Sequence, residues 1–271
     1  MQKLKKYFPV LLISLLFLVC SCSEKTEEEP SEEEEEPVMY LNYQANCFYD
    51  SRGYKHYDDT SYTSMVGIDV SEFQEKIDWE KVKADGVEFA YMRIARRGAT
   101  TGGLYDDSQF ENNYKGAREN GLLVGIYFFS QATTVEEAEE EAQLVLDILN
   151  GRSLDLPVVY DLENVYLADE VGRIEDLSKE QKTEDALAFC RYIENNGYEA
   201  MIYTGLYWSE NSYDMEALSD YPIWFAQYGT DYPKLTYPFL IWQYSQSGEV
   251  SGIDEETDLD LMFIYKGNKD E

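Results

Sequence analysis

Residues 66–94 read VGIDVSEFQEKIDWEKVKADGVEFAYMRI, and their order sets the architecture. Val66–Val70 is a short apolar run of strand length, 78–85 is a short helix candidate ahead of Gly86, and Phe89–Ile94 is a second strand. The alternation then repeats. Leu123–Phe129, Pro157–Tyr160, Ala200–Tyr203, Pro222–Ala226, Leu240–Tyr244 and Asp258–Phe263 bring the strand candidates to eight. Between them, Val135, Ala138, Ala142, Val145, Leu146 and Leu149 recur at helical steps over 135–149, with Thr134 and Glu137 spaced as in a capping box. Segments 107–120 and 178–196 run into Asn120-Gly121 and Asn196-Gly197, good helix stops, and a poorer helix fits around 207–219. From Pro222 to Leu240 and from Leu240 to Asp258 only 18 residues separate strand starts, too few for ordinary crossover helices. The expected fold is α/β: an irregular TIM-like (β/α)5β3 barrel over residues 65–266, large enough for one core.

What flanks the barrel differs sharply from it. Residues 1–22 read as a targeting segment: Lys3, Lys5 and Lys6 precede an apolar run, Val10–Val19, of signal-peptide length. Cys22 follows Ser21, with Val19 three places before it, which resembles a bacterial lipobox; an ordinary cleaved signal is the alternative. The expected location is therefore the outer face of a bacterial membrane, held by a lipid on Cys22 and by nothing else in the bilayer. Residues 23–37 are an acidic linker, and EKTEEEPSEEEEE at 24–36 has no apolar residue to offset the entropy of ordering. Fully extended, the run from Cys22 to Pro37 would reach roughly 50 Å. Residues 38–64 form a lead-in strap without periodicity, and 267–271 a short tail.

The formal charge of −32 argues against nucleic acid as a partner, because phosphates need basic patches. Cys47 and Cys190 could pair in an oxidising compartment, although Cys190 in ALAFCRYI reads more simply as a buried thiol. Neither cysteine has metal-ligand spacing with His56, the only histidine, so no metal site is expected.

A parallel barrel presents its chemistry at the carboxyl ends of its strands. Asp69 ends the first strand, Asp161 and Glu163 follow PVVY, and Asp258 and Asp260 lie on the last. Alternate residues of a strand share a face with Cα atoms roughly 6–7 Å apart, so Asp161 and Glu163 can flank one substrate. Crowded, desolvated carboxylates have raised pKa values, which lets one act as a proton donor near neutral pH while another stays ionised. Glycosidic cleavage needs that combination. A solvated acidic loop would also produce D-x-E.

Longer stretches narrow the choice. VGIDVSEFQEKIDWEKVKADGVEFAYMRIARRG, GLLVGIYFFSQATTVEEAEEEA, LPVVYDLE and FLIWQYSQSGEVSGIDEETDLDLMF resemble glycoside hydrolase family 25, the Chalaropsis-type lysozymes, in matching order from residue 66 to about 264. The resemblance implies an N-acetylmuramidase that hydrolyses the β-1,4 bond from N-acetylmuramic acid to N-acetylglucosamine in peptidoglycan glycan strands, with no cofactor. It places Glu163 as general acid, Asp161 as the partner that orients a substrate acetamido group or stabilises positive charge, Asp69 as the acid of the first strand and Asp258 as that of the last. Leu162 stands where the family often has Trp, and Asp260 where it often has Asn; the extra acid leaves open which aspartate faces the site.

Tyr127, Tyr203, Trp224 and Trp242 are aromatic candidates for stacking on sugar rings, each equally a core residue, with burial the simpler reading for Trp242. Tyr127 matches an active-site position of the family. Arg93 and Gln243 are candidates for substrate contacts or for satisfying the barrel end, and Arg96 and Arg97 are loop candidates for anionic lactyl or peptide groups. The high negative charge would repel anionic wall polymers, a cost that a lipid anchor would offset. The protein is expected to act as a monomer. Two rival readings are a surface glycan binder with a silent site and a chitinase-like hydrolase; the longer acidic lead of chitinases before D-x-E is replaced here by Leu156-Pro157-Val158-Val159-Tyr160.

Overall fold

The structure, a computed structural model, describes residues 43–165 and 171–267. The signal segment, Cys22 and the acidic linker lie outside the described residues. The chain begins with a hairpin, β1 (Phe48–Ser51) and β2 (Tyr54–Tyr57), whose two-residue turn uses positive φ at Arg52 and Gly53. The alternating part follows: β3 (Tyr62–Val70), α1 (Trp79–Asp85), β4 (Phe89–Arg97), a short β5 (Leu104–Asp106) and α2 (Phe110–Glu119). Next come β6 (Leu123–Ser130), α3 (Val135–Leu149), β7 (Val158–Leu162), α4 (Lys179–Asn195), β8 (Ala200–Gly205) and α5 (Leu206–Asn211). Three strands finish the chain: β9 (Ile223–Ala226), β10 (Ile241–Gly248) and β11 (Thr257–Tyr265).

Strands β3, β4, β6, β7, β8, β9, β10 and β11 close an eight-stranded barrel, sealed by β11 against β3, with β5 an added edge on β4. The barrel expected from the spacing is present, with helices following its first five strands. One strand departs from a wholly parallel arrangement: β11 runs antiparallel to both β10 and β3. The segment from Gly248 to Thr257 is too short for a crossover, so it can only turn back. The helix expected over 107–120 starts later, at Phe110, after a turn in which Asp107 accepts from the Gln109 N–H through one oxygen and from Arg93 through the other. The segment 207–219 is helical only through Asn211, and its remainder is turn anchored by buried Tyr213, Met215 and Leu218.

Side chains divide between two cores. The outer one lies between the strands and their cover; the inner one holds Phe89, Tyr91, Val159, Met201, Tyr203, Trp224, Ile241 and Met262. Two glycines make room inside. A Cβ at Gly67 would meet the Phe89 ring at 2.0 Å, and one at Gly125 the Tyr91 ring at 2.3 Å. Where crossover helices are missing, the lead-in segment supplies the cover. Phe48 packs edge-on to Trp242 and Phe263, Tyr57 packs on Phe263, and Tyr43 on Phe239. Cys47 and Cys190 are unpaired, with Cys190 buried in α4.

Candidate active site

Four carboxylates meet at one mouth of the barrel because of strand direction. Asp69 is the penultimate residue of β3, Asp161 that of β7, and Glu163 follows one residue past β7. Since β11 runs the opposite way, its first residues lie at this mouth, and Asp258 pairs in register with Asp69. Asp260 sits a layer deeper, opposite Gly67 and fully buried, which settles which of the two aspartates faces the opening. Asp69, Asp161, Glu163 and Asp258 together line a cleft of about 200 Å³, with Tyr127, Tyr203, Trp224, Arg93 and Gln243.

Burial and mutual repulsion raise the proton affinity of these acids. The Glu163 carboxyl is pushed up to about 7, first by burial and then by the charge of Asp258, against a hydrogen bond with Asp161 that pulls it down. Asp161 is raised well above the usual carboxylate range by burial and by Glu163, with Arg93 opposing. Asp258 is raised to about 6 by burial, while Asp69 and Asp260 are both raised by burial and then by Asp258. The cleft therefore offers proton donors beside ionisable acceptors at neutral pH.

The remaining polar groups hold the acids in place. Gln243 Nε2 donates to Asp69 at 2.7 Å, and Gln243 Oε1 accepts from Tyr203 at 2.8 Å and from Tyr228. Trp224 Nε1 donates to Asp260 at 2.8 Å while its ring packs against Tyr91, Tyr127 and Tyr203. Arg93 donates at 2.9 Å to both Asp107 and Glu72, so it satisfies the barrel end while still bordering the cleft. Among the described residues no three His, Cys, Asp or Glu side chains are grouped to hold a metal ion, and His56 stacks on Tyr49 in the lead-in hairpin.

A family model for glycosyl hydrolases family 25 matches residues 68–253, more than half of the chain. The chain belongs to glycosyl hydrolases family 25. Among relatives, it is 31% identical over 196 residues to the autolytic lysozyme of Clostridium acetobutylicum, covering 72% of this chain and 55% of that protein. It therefore spans little more than half the length of that relative. Lysozyme M1 of Streptomyces globisporus is 30% identical over 209 residues, 74% of this chain and 67% of its own. The bacterial lysozyme of Streptomyces coelicolor superposes with a TM-score of 0.61 at 27% identity, covering 77% and 94% of the two chains. A family 25 glycosyl hydrolase of Bacillus anthracis, at 22% identity and TM-score 0.62, covers 82% and 96% and shares the fold.

Within this family 25 chain, the residues expected at the cleft separate into two groups. Asp69, Asp161, Glu163, Asp258, Tyr127, Tyr203, Trp224, Arg93 and Gln243 come together, whereas Trp242 is buried in the outer core and donates to the Gln227 carbonyl. Arg97 is a correction: it is no loop residue but the buried end of β4, bonded to Glu141 at 2.7 Å and to Glu140 at 3.2 Å. A register shift between Arg93 and Ala95 puts both Ile94 and Ala95 in the outer core and turns Arg97 toward α3. Arg96 is partly exposed, 3.9 Å from Glu72 and stacked over Tyr105. Sequence reasoning missed Phe73, an exposed ring that borders the cleft over Arg93, and Tyr228. Both lie just past a barrel strand, Phe73 after Asp69 and Tyr228 after Ala226, a position that could have flagged them.

Proposed function

We propose that this chain is an N-acetylmuramidase that hydrolyses the β-1,4 bond between N-acetylmuramic acid and N-acetylglucosamine in peptidoglycan. The observation that carries this reading is the meeting of Glu163, just past β7, with Asp161, Asp69 and Asp258 around one cleft, where burial pushes the Glu163 carboxyl up to about 7. Glu163 donates its proton to the leaving glycosidic oxygen. Asp161 holds the substrate's acetamido N–H so that its oxygen attacks the anomeric carbon. Water then opens the resulting ring and returns a proton to Glu163, with net retention. Asp258 lends negative charge to the developing oxocarbenium ion, with Asp69 in register beside it, and Tyr127 borders the cleft as a ring for the sugars. Retention is checked by NMR of the first product, and an α-anomer would replace this route with direct attack by water.

The test is mass spectrometry of peptidoglycan digested by the full chain and by Glu163→Gln. Reducing-end N-acetylmuramic acid from the wild type, with kcat down by about 10²–10⁴ in the variant, is the expected result. A wild type that binds glycan without cutting it would instead leave a silent-site binder. The chain is further proposed to act as a monomer on the outer membrane face through a lipid on Cys22, a reading supported by the sequence around that cysteine. Cys22→Ser should release the protein from membranes.

A further inference from the structure

Gln131 follows the last residue of β6 and has no exposed surface. Pairing between β6 and β7 stops at Ser130 opposite Leu162, so the peptide of Glu163 lies one step beyond the ladder. The Gln131 side chain fills that step. Its Nε2 donates to the Glu163 carbonyl at 2.7 Å and to the Ser130 carbonyl at 2.8 Å. A reversed amide would set Oε1 against both acceptors, so the orientation is fixed by its neighbours. The fold accepts a cost for this arrangement, since Gln131 Oε1 is buried with no hydrogen-bond partner among the described residues.

The backbone of Gln131 is itself tied down. Arg173 donates to the Gln131 carbonyl at 2.9 Å and, through its other nitrogen, to Glu137 at 2.6 Å. Glu141 accepts from Arg97 at 2.7 Å, from Ser130 at 2.6 Å and from the Gln131 N–H at 3.4 Å. The end of β6 is thus anchored to α3 on its outer side and reaches Glu163 through one amide on the other.

We infer that Gln131 is a positioning residue for Glu163, holding the main chain beneath that carboxyl where the strand ladder no longer does. The inference rests on Glu163 being the general acid. Displacement of a reacting group by about 1 Å can cost about 10²-fold in rate. Release of this peptide would also change the burial of the carboxyl, which chiefly raises its proton affinity, and its distance from Asp258, whose charge raises it further.

The experiment compares the full chain with Gln131→Met, similar in length but without donors, and Gln131→Glu, a donor only while protonated. Soluble peptidoglycan strands serve as substrate, and the Glu163 titration is followed by carbon-13 NMR. For Q131M the expected results are kcat lower by about 10–100-fold, KM within about 2-fold, and both the alkaline limb and the Glu163 titration displaced from wild type. For Q131E, kcat relative to wild type should rise as the pH falls at temperatures where the variant stays folded throughout, which a purely structural role would not produce. Wild-type kcat and titration in Q131M would overturn the inference. So would a kcat loss that follows melting temperature alone, with an unmoved titration. If Q131M does not fold, the pH dependence of Q131E decides. If the wild type cuts nothing, the muramidase reading fails, and the NMR titration still decides the role of Gln131.

Discussion

The two ends of the barrel interior are built from the same strands and have opposite chemistry. Toward the floor, β3 contributes Met65, β4 Phe89, β7 Val159, β8 Met201, β10 Ile241 and β11 Met262. A few residues along the same inward rows, those strands present Asp69, Arg93, Asp161, Tyr203, Gln243 and Asp258. A step of two residues along β7, β8 and β10, and of four along β3, β4 and β11, changes an apolar side chain into a polar one because alternate side chains share a face. The contrast teaches that the floor is part of the electrostatics. It seals the mouth from below, so the acids lose water on one side while they crowd one another on the other.

This division makes predictions that can break it. The largest expected effect is at the floor. Phe89→Ala should cost about 3–5 kcal/mol of stability by leaving a cavity under Gly67, and chemical denaturation measures it. If the pH–activity profile of this variant is unchanged wherever it remains folded, floor and mouth are separable; a displaced profile would show that the floor tunes the acids directly.

The next effect belongs to the mouth. Asp258 is the chief charge raising Glu163, so Asp258→Asn should lower the Glu163 titration and move the alkaline limb of kcat to lower pH. Stability should change little by comparison. An unmoved limb would assign the raised value to burial alone.

The smallest effect sums the mouth acids with Glu141, the buried acid of α3. Glu163 and Glu141 are raised to about 7 from 4.5, and Asp258 to about 6 from 3.8. Across that interval the folded chain binds protons that the unfolded chain has released, so unfolding becomes easier as pH rises. Melting temperature should therefore fall between about pH 4 and 7 by at least about 2–4 °C, the shift given by about 1 kcal/mol in a domain of this size. Asp59 and Glu137, both lowered, act in the opposite sense only at more acid pH. A melting temperature that climbs across the interval would mean that the mouth acids are ionised without penalty.

The barrel was legible because its helices keep one period, as in 135–149, and its strands are short apolar runs buried on both faces, as at Ala200–Tyr203. The acids were legible because strand ends mark the mouth. What escaped has no period. The lead-in hairpin works through isolated rings, Tyr43, Phe48 and Tyr57, set against Phe239, Trp242 and Phe263, and its one local signal was Arg52-Gly53 at a two-residue turn. Arg97 escaped because a register shift reverses the alternation upstream of it. Gln131 escaped because a side-chain amide bonded to a carbonyl across strands is a relation between distant positions, and no local pattern encodes it.

The pairing of β3 with β11 carries a consequence for how the molecule is made. The first barrel strand pairs early with β4 but finds its second partner only when the last strand exists, and the lead-in rings likewise wait for Phe263. Such distant contacts make closure slow, because a long loop must be ordered before they reward it. A chain stopped before Thr257 would leave β3 and β10 as bare edges able to pair with other chains. Completion of the final strand is thus what separates a growing polypeptide prone to association from a sealed barrel.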